Sequence, residues 1–212
     1  MRWESLFEDL EGQLEREFSA EQRDLGAQEE RVRLSQLSMI KRLESQNLWS
    51  ASHRSDPLRL ALTNGEQISL RLDTTGADWI SGSIDDGSSD CVRGLIPVNA
   101  IDSVSWRPVA IEASLALAEV RPSNLRRLEL RFALRDLCRR RYRVRVALNG
   151  GSSTGESASG SYVGGAPLGG TIDRVGNDHL DLAIHDSSTA RRDSSVHEIR
   201  MVALRSIVIV RF

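Results

Sequence analysis

The residues best suited to chemistry are five arginines near the middle of the chain: Arg139, Arg140, Arg141, Arg143 and Arg145. A guanidinium stays charged at every physiological pH, and its planar fork matches phosphate and carboxylate oxygens. Residues 121–145 hold ten arginines against two acids, a net of +8. Residues 1–30 hold ten acids against three arginines, a net of −7. The five arginines are therefore candidates for binding the phosphates of a nucleic acid, or for docking an acidic partner, the chain's own N-terminus included. A purely structural use competes with both. Basic residues suit a helix C-terminus through its dipole, and Arg143 and Arg145 fall on the outward face of an alternating strand. Lys41 is the only lysine, an arginine usage typical of a GC-rich genome, which lowers the weight of arginine richness as a sign of nucleic acid.

Three other groupings touch on chemistry. Gly151-Ser152-Ser153-Thr154-Gly155 spells the G-x-S-x-G string of serine hydrolases. That mechanism needs the serine on a sharp strand-to-helix turn, and here the string opens a Gly/Ser-rich loop over 149–166. His179, Asp181 and His185 share one face of an alternating strand. The two histidines stand about 20 Å apart at roughly 3.3 Å per residue, too far to share an ion, so a solvated polar face is expected. Asp85, Asp86 and Asp90 crowd a Gly/Ser hairpin without the alternation and closing Glu of a calcium loop. Cys91 and Cys138 are the only cysteines and form no metal-type pair. Two isolated cysteines, with no leader peptide, lead us to expect a cytoplasmic protein. The sequence implies no cofactor, no small-molecule ligand, no metal, no membrane span and no enzyme.

Helical periodicity opens the chain. Trp3, Leu6, Phe7, Leu10, Leu14 and Phe18 recur at three- and four-residue steps and form one apolar face, with acids filling the rest. Asp24-Leu25-Gly26 predicts a helix break, and a second helix follows over about 28–45. After a polar connector at Ser52–Pro57 the period changes to two. Leu58, Leu60 and Leu62 predict a strand, Asn64-Gly65 a type I′ hairpin turn, and Ile68, Leu70 and Leu72 its return. Strands over 79–84, 92–98 and 103–106 complete a first set. Residues 110–138 read as helical, with Pro122 near a helix start. Tyr142, Val144, Val146 and Leu148 begin a second set, continued over 168–175, 180–186, 196–202 and 206–212.

The halves resemble each other. Gly76-Ala77-Asp78-Trp79-Ile80 aligns with Gly176-Asn177-Asp178-His179-Leu180, and Ala100-Ile101-Asp102-Ser103-Val104 with Ala203-Leu204-Arg205-Ser206-Ile207. The expectation is an internal duplication of a helix plus five short strands. A helix followed by five short strands, with a brief turn before the last, resembles the Sm-like small β-barrel over residues 28–106 and 123–212. That resemblance implies ring assembly and RNA binding. Of the Sm motifs, Asn64-Gly65 and Arg93-Gly94 lie near the expected places in the first copy, and the second copy has neither pair. The phrases MRWESLFEDLE and GTIDRVGNDHLDLAIH are similar to uncharacterised actinobacterial proteins of this length.

The expected architecture is thus α+β: an acidic amphipathic helical arm at 1–27, then a helix plus small barrel at 28–109, and a helix plus small barrel at 110–212. The expected function is a non-enzymatic protein-interaction or assembly module, with a protein partner or self-association engaged through the arm. RNA binding through the arginines is the alternative.

Overall fold

A computed structural model describes residues 4–52, 57–85, 92–115, 127–150, 166–185 and 196–212. The protein is α+β: N-terminal helices and one antiparallel sheet of ten strands. Helix α1 runs from Glu4 to Ser35 without interruption, and α2 from Met39 to Ser52. The expected break at Gly26 does not occur. One Gly in a helix costs only about 1 kcal/mol relative to Ala, too little to stop a strong pattern. The chain breaks at Gln36–Ser38 instead. There Gln36 and Leu37 donate to carbonyls three residues back, and the Lys41 N–H reaches the Ser38 hydroxyl at 3.4 Å to start α2.

Five strands follow: β1 (Leu58–Leu62), β2 (Gln67–Thr75), β3 (Trp79–Asp85), β4 (Val92–Pro97) and β5 (Ile101–Ser105). Alternation works as read in β1, where Leu58, Leu60 and Leu62 are buried and Arg59 is exposed. The β1–β2 turn is not type I′. Gly65 has φ 82, but Asn64 is not among the residues with positive φ. Gly65 and Glu66 close a loop in which one left-handed glycine suffices, the Asn64 carboxamide oxygen accepting from the Glu66 N–H. Helix α3 (Pro108–Leu115) and helix α4 (Leu130–Arg139) come next. Arg127–Glu129 is not α-helical, so 110–138 is not one helix; Pro122 lies outside the described residues. The second strands are β6 (Arg143–Leu148), β7 (Leu168–Val175), β8 (His179–Ile184), β9 (Glu198–Ala203) and β10 (Ile207–Arg211).

Across the sheet the order is β5-β1-β2-β3-β4-β10-β6-β7-β8-β9. The sheet is open. Neither set of five closes on itself, because β4 pairs with β10 rather than with β5. The second set repeats the register of the first. Bulges fall between Leu72 and Thr74 in β2, and between Ile172 and Arg174 in β7. The Val98 N–H donates to the Asp78 carbonyl at 2.9 Å, and the Leu204 N–H to that of Asp178 at 2.8 Å. Leu62 faces Ile101, and Leu148 faces Ile207. Ile101 therefore corresponds to Ile207, and the alignment of Ala100–Val104 with Ala203–Ile207 was misplaced. A 3-10 turn fixes the position in each set, Val98–Ala100 and Leu204–Ser206.

Two apolar cores interlock across the β4–β10 seam. The first gathers Leu43, Leu60, Leu70, Ile80 and Ile96, and takes in Val208 and Ile209 from β10. The second gathers Leu134, Val146, Ile172, Leu180 and Leu182, and takes in Trp79 and Leu95 from the first set. Every residue of β10 from Ile207 to Val210 is buried, as a strand covered on both faces must be. Helix α4 turns Leu130, Leu134 and Leu137 inward at helical spacing. Each buried leucine contributes roughly 1.5–3 kcal/mol.

Candidate functional site

The five arginines split into three environments. Arg139 and Arg140 hold Asp136 at 2.6 and 2.7 Å within α4. Partial loss of water acts against the Asp136 charge, but the hydrogen bonds from Arg139 and Arg140 hold its carboxyl below the usual carboxylate range. Arg141 has a left-handed backbone, φ 55. It occupies the place where a helix usually ends in glycine: its N–H donates to the Cys138 carbonyl, and the Tyr142 N–H to that of Leu137. A non-glycine residue there carries a strain of about 1–2 kcal/mol. The Arg141 guanidinium stands 3.6 Å from Asp173. Arg143 and Arg145 are exposed on β6, on its outward face.

Around the helical part of this cluster lies a groove of about 740 Å³ that the sequence did not reveal. Its walls combine Trp79, Phe132, Tyr142 and Phe212 with Arg93 and Arg135. The Arg131 and Arg135 guanidinium carbons stand 5.1 and 5.4 Å from the Phe132 ring centre, and Tyr142 and Phe212 lie 5.7 Å apart. The helical spacing of Phe132, Arg135 and Arg139 was the available signal; Trp79 and Phe212 are too distant in sequence to have been grouped with them.

The apolar face of α1 is a second surface. Leu14, Phe18, Leu25 and Val32 are exposed by 53, 60, 59 and 57 %. At roughly 100° per residue these four fall within about 40° of arc, a narrow stripe along the helix. Leu6, Phe7 and Leu10 belong to the same helix, with side chains outside the described residues, and Trp3 lies outside them altogether. Sequence reasoning missed Leu25 and Val32 because it ended the helix before them.

The ends of the sheet form the third surface. Among the described residues strand β9 has a neighbour on one side only, and it exposes Ile199 and Met201 by 62 and 69 %. Its counterpart β4 is covered by β10, and Leu95, which corresponds to Met201 in register, is 3 % exposed. At the other end, among the described residues, β5 pairs only with β1.

The remaining groupings do not assemble. The G-x-S-x-G string, Asp86, Asp90 and Cys91 lie outside the described residues. His179 is half exposed and bonds to Asp178 at 2.8 Å, lowering the carboxyl pKa of Asp178 through that hydrogen bond. His185 does not belong to a solvated face: it is buried, 2.8 Å from the Thr171 hydroxyl on the neighbouring strand. Among the described residues no three His, Cys, Asp or Glu side chains gather into a metal-holding group. No helix there is long and apolar enough to cross a membrane. Arg93-Gly94, the one Arg-Gly pair near an Sm position, sits inside β4, with Arg93 bound to Asp73 at 2.8 Å and Gly94 facing Arg211. Compared with known families, curated proteins and solved structures, the chain matches none of them.

Proposed function

We propose that this chain is a non-enzymatic protein-interaction or assembly module of the cytoplasm, built from a duplicated Sm-like unit. The duplication is supported by the strand order β5-β1-β2-β3-β4, repeated as β10-β6-β7-β8-β9, and by the matching bulges and turn bonds. The observation that carries the function is the stripe on α1. Four large apolar side chains in steps of four, seven and seven, each more than half exposed, form a seam suited to another helix. Phe18→Ala with Leu25→Ala tests it, since alanine preserves helix formation. We expect light scattering to show a lower mass than for the unaltered chain, or loss of a helical partner retained from lysate. The circular dichroism of the sheet should stay unchanged. Unaltered mass and unaltered capture would remove α1 as an interaction seam.

A second reading, RNA binding, is favoured by the groove, where the exposed rings of Phe132 and Tyr142 stand among arginines. Rings that take stacked bases and cations that take phosphates are what single strands require. Five phosphate contacts give a slope of log affinity against log salt of roughly −3.5, at about −0.7 per contact. Replacing Arg140 and Arg141 with Gln should make that slope shallower by about one to two units, read by fluorescence anisotropy over a salt series. A flat salt dependence would leave these arginines as the helix end and strand face they form in the fold.

A further inference from the structure

We propose that α1 of one copy docks by its apolar stripe into the groove of Phe132, Tyr142 and the arginines on a second copy. The docking rests on the reading of α1 as an interaction seam and names what fills it. Each chain carries both halves of the contact uncovered. Leu14, Phe18, Leu25 and Val32 are all more than half exposed along α1. At the groove Phe132 and Tyr142 are 38 and 43 % exposed, and the buried Trp79, Leu95 and Leu137 also line it. A large apolar side chain such as Phe18 entering there covers aromatic surface on both partners, and aromatic pairs gain beyond the area that they bury.

Charge selects the occupant. Residues 4–30 of α1 hold ten acids and two arginines. Among the described residues that line the groove, four arginines, Arg93, Arg135, Arg139 and Arg140, stand with one acid, Asp136. Arg139 and Arg140 share that single carboxylate, and Arg93 has its own in Asp73, so the excess of positive charge falls on α4. The Arg135 guanidinium carbon stands 5.4 Å from the Phe132 ring centre, beside the apolar surface to be covered. On α1, roughly 100° per residue places Glu21 on one flank of the stripe and Glu15 and Glu29 on the other. All three glutamates are exposed. An apolar stripe flanked by acids thus meets an aromatic surface flanked by arginines, and such complementarity steers and orients partners.

The same charges disfavour other occupants. Helix α1 laid against α1 of a second copy sets acids beside acids. The steps of four, seven and seven also place positions 21 and 28 in such a seam, and these are Glu and Gln. Nucleic acid suits the arginines, but the acids of the arm repel phosphates from the chain that carries it. The groove of a second copy answers both the apolar stripe and the charge around it. Two copies exchanging arms make the contact twice.

Light scattering on the full chain over a concentration series tests the docking. The mass of the unaltered chain should rise with concentration. Phe132→Ala should raise the dissociation constant about tenfold or more, as truncation of an aromatic anchor does. Arg135→Glu should raise it too, and so should Glu15→Arg with Glu21→Arg on the arm, which keeps the test decisive where a change in α4 disturbs the fold. All three charge reversals in one chain should recover the association, an effect that loss of folding cannot give. No recovery would overturn the docking. A mass lowered by Phe18→Ala with Leu25→Ala but not by Phe132→Ala or Arg135→Glu would overturn it and leave the seam on α1 standing. So would the mass of a single chain at every concentration while α1 still retains a helical partner from lysate. An RNA oligomer bound by the unaltered chain and released by Arg135→Glu, without self-association, would assign the groove to nucleic acid instead.

Discussion

Gly82→Ala should destabilise the protein by about 3 kcal/mol or more, toward the upper end for overpacking. A Cβ at this position would lie 2.0 Å from the Arg71 carbonyl oxygen and 2.8 Å from its carbon. Both are backbone atoms of β2, so no side-chain rotation relieves the clash. Gly82 faces Leu72, beside the bulge that bends β2 over β3. Only glycine lets the strands approach so closely there. In a chain of this size the change lowers the melting temperature by about 6–12 °C. Gly170→Ala should behave alike, its Cβ meeting the Ala183 carbonyl oxygen at 2.1 Å. Thermal melts followed by circular dichroism decide it, and a loss below about 1 kcal/mol at both positions would mean that the strands lie farther apart.

Trp79→Ala should cost about 3–5 kcal/mol, whereas His179→Ala at the corresponding place should stay within about 0.5 kcal/mol. Trp79 is buried in the second core, and its indole N–H donates to the Leu128 carbonyl at 2.9 Å. The side chain thereby ties the first five strands to the segment that leads α4. His179 touches Asp178 and is half exposed. Urea titration of the two variants gives the comparison directly. Equal costs would show that the β4–β10 seam does not depend on this tryptophan.

Much of this architecture could be read from local periodicity. Leu58, Leu60 and Leu62 alternate because one face of β1 meets the core, and the nine other strands lie within a few residues of their expected places, although β10 is a buried run without alternation. The failures have physical causes. Gly26 was given the power to stop a helix that its small cost does not carry. The match of Ala203 with Ala100 rested on residue type, whereas the turn bonds of Val98 and Leu204 set the true correspondence. The hairpin at Asn64-Gly65 was found, but its turn type was not, since one positive φ at Gly65 closes the loop. The seam between β4 and β10 joins Leu95 to Val210, and no local pattern announces a pairing between residues so distant in sequence. The same distance hid the groove, whose Trp79 and Phe212 meet α4 only after folding.

The unbroken length of α1 makes it a lever. Arg33, in its last turn, donates to the Leu115 carbonyl at 2.9 Å and fastens that end to α3. Thirty-two residues at about 1.5 Å each carry the other end up to about 48 Å along the axis. Whatever grips the stripe near Leu14 therefore works at arm's length. A few degrees of pivoting at Gln36–Ser38 would sweep the acidic tip through several ångströms. A load held there could change its orientation while every strand of the sheet kept its neighbours.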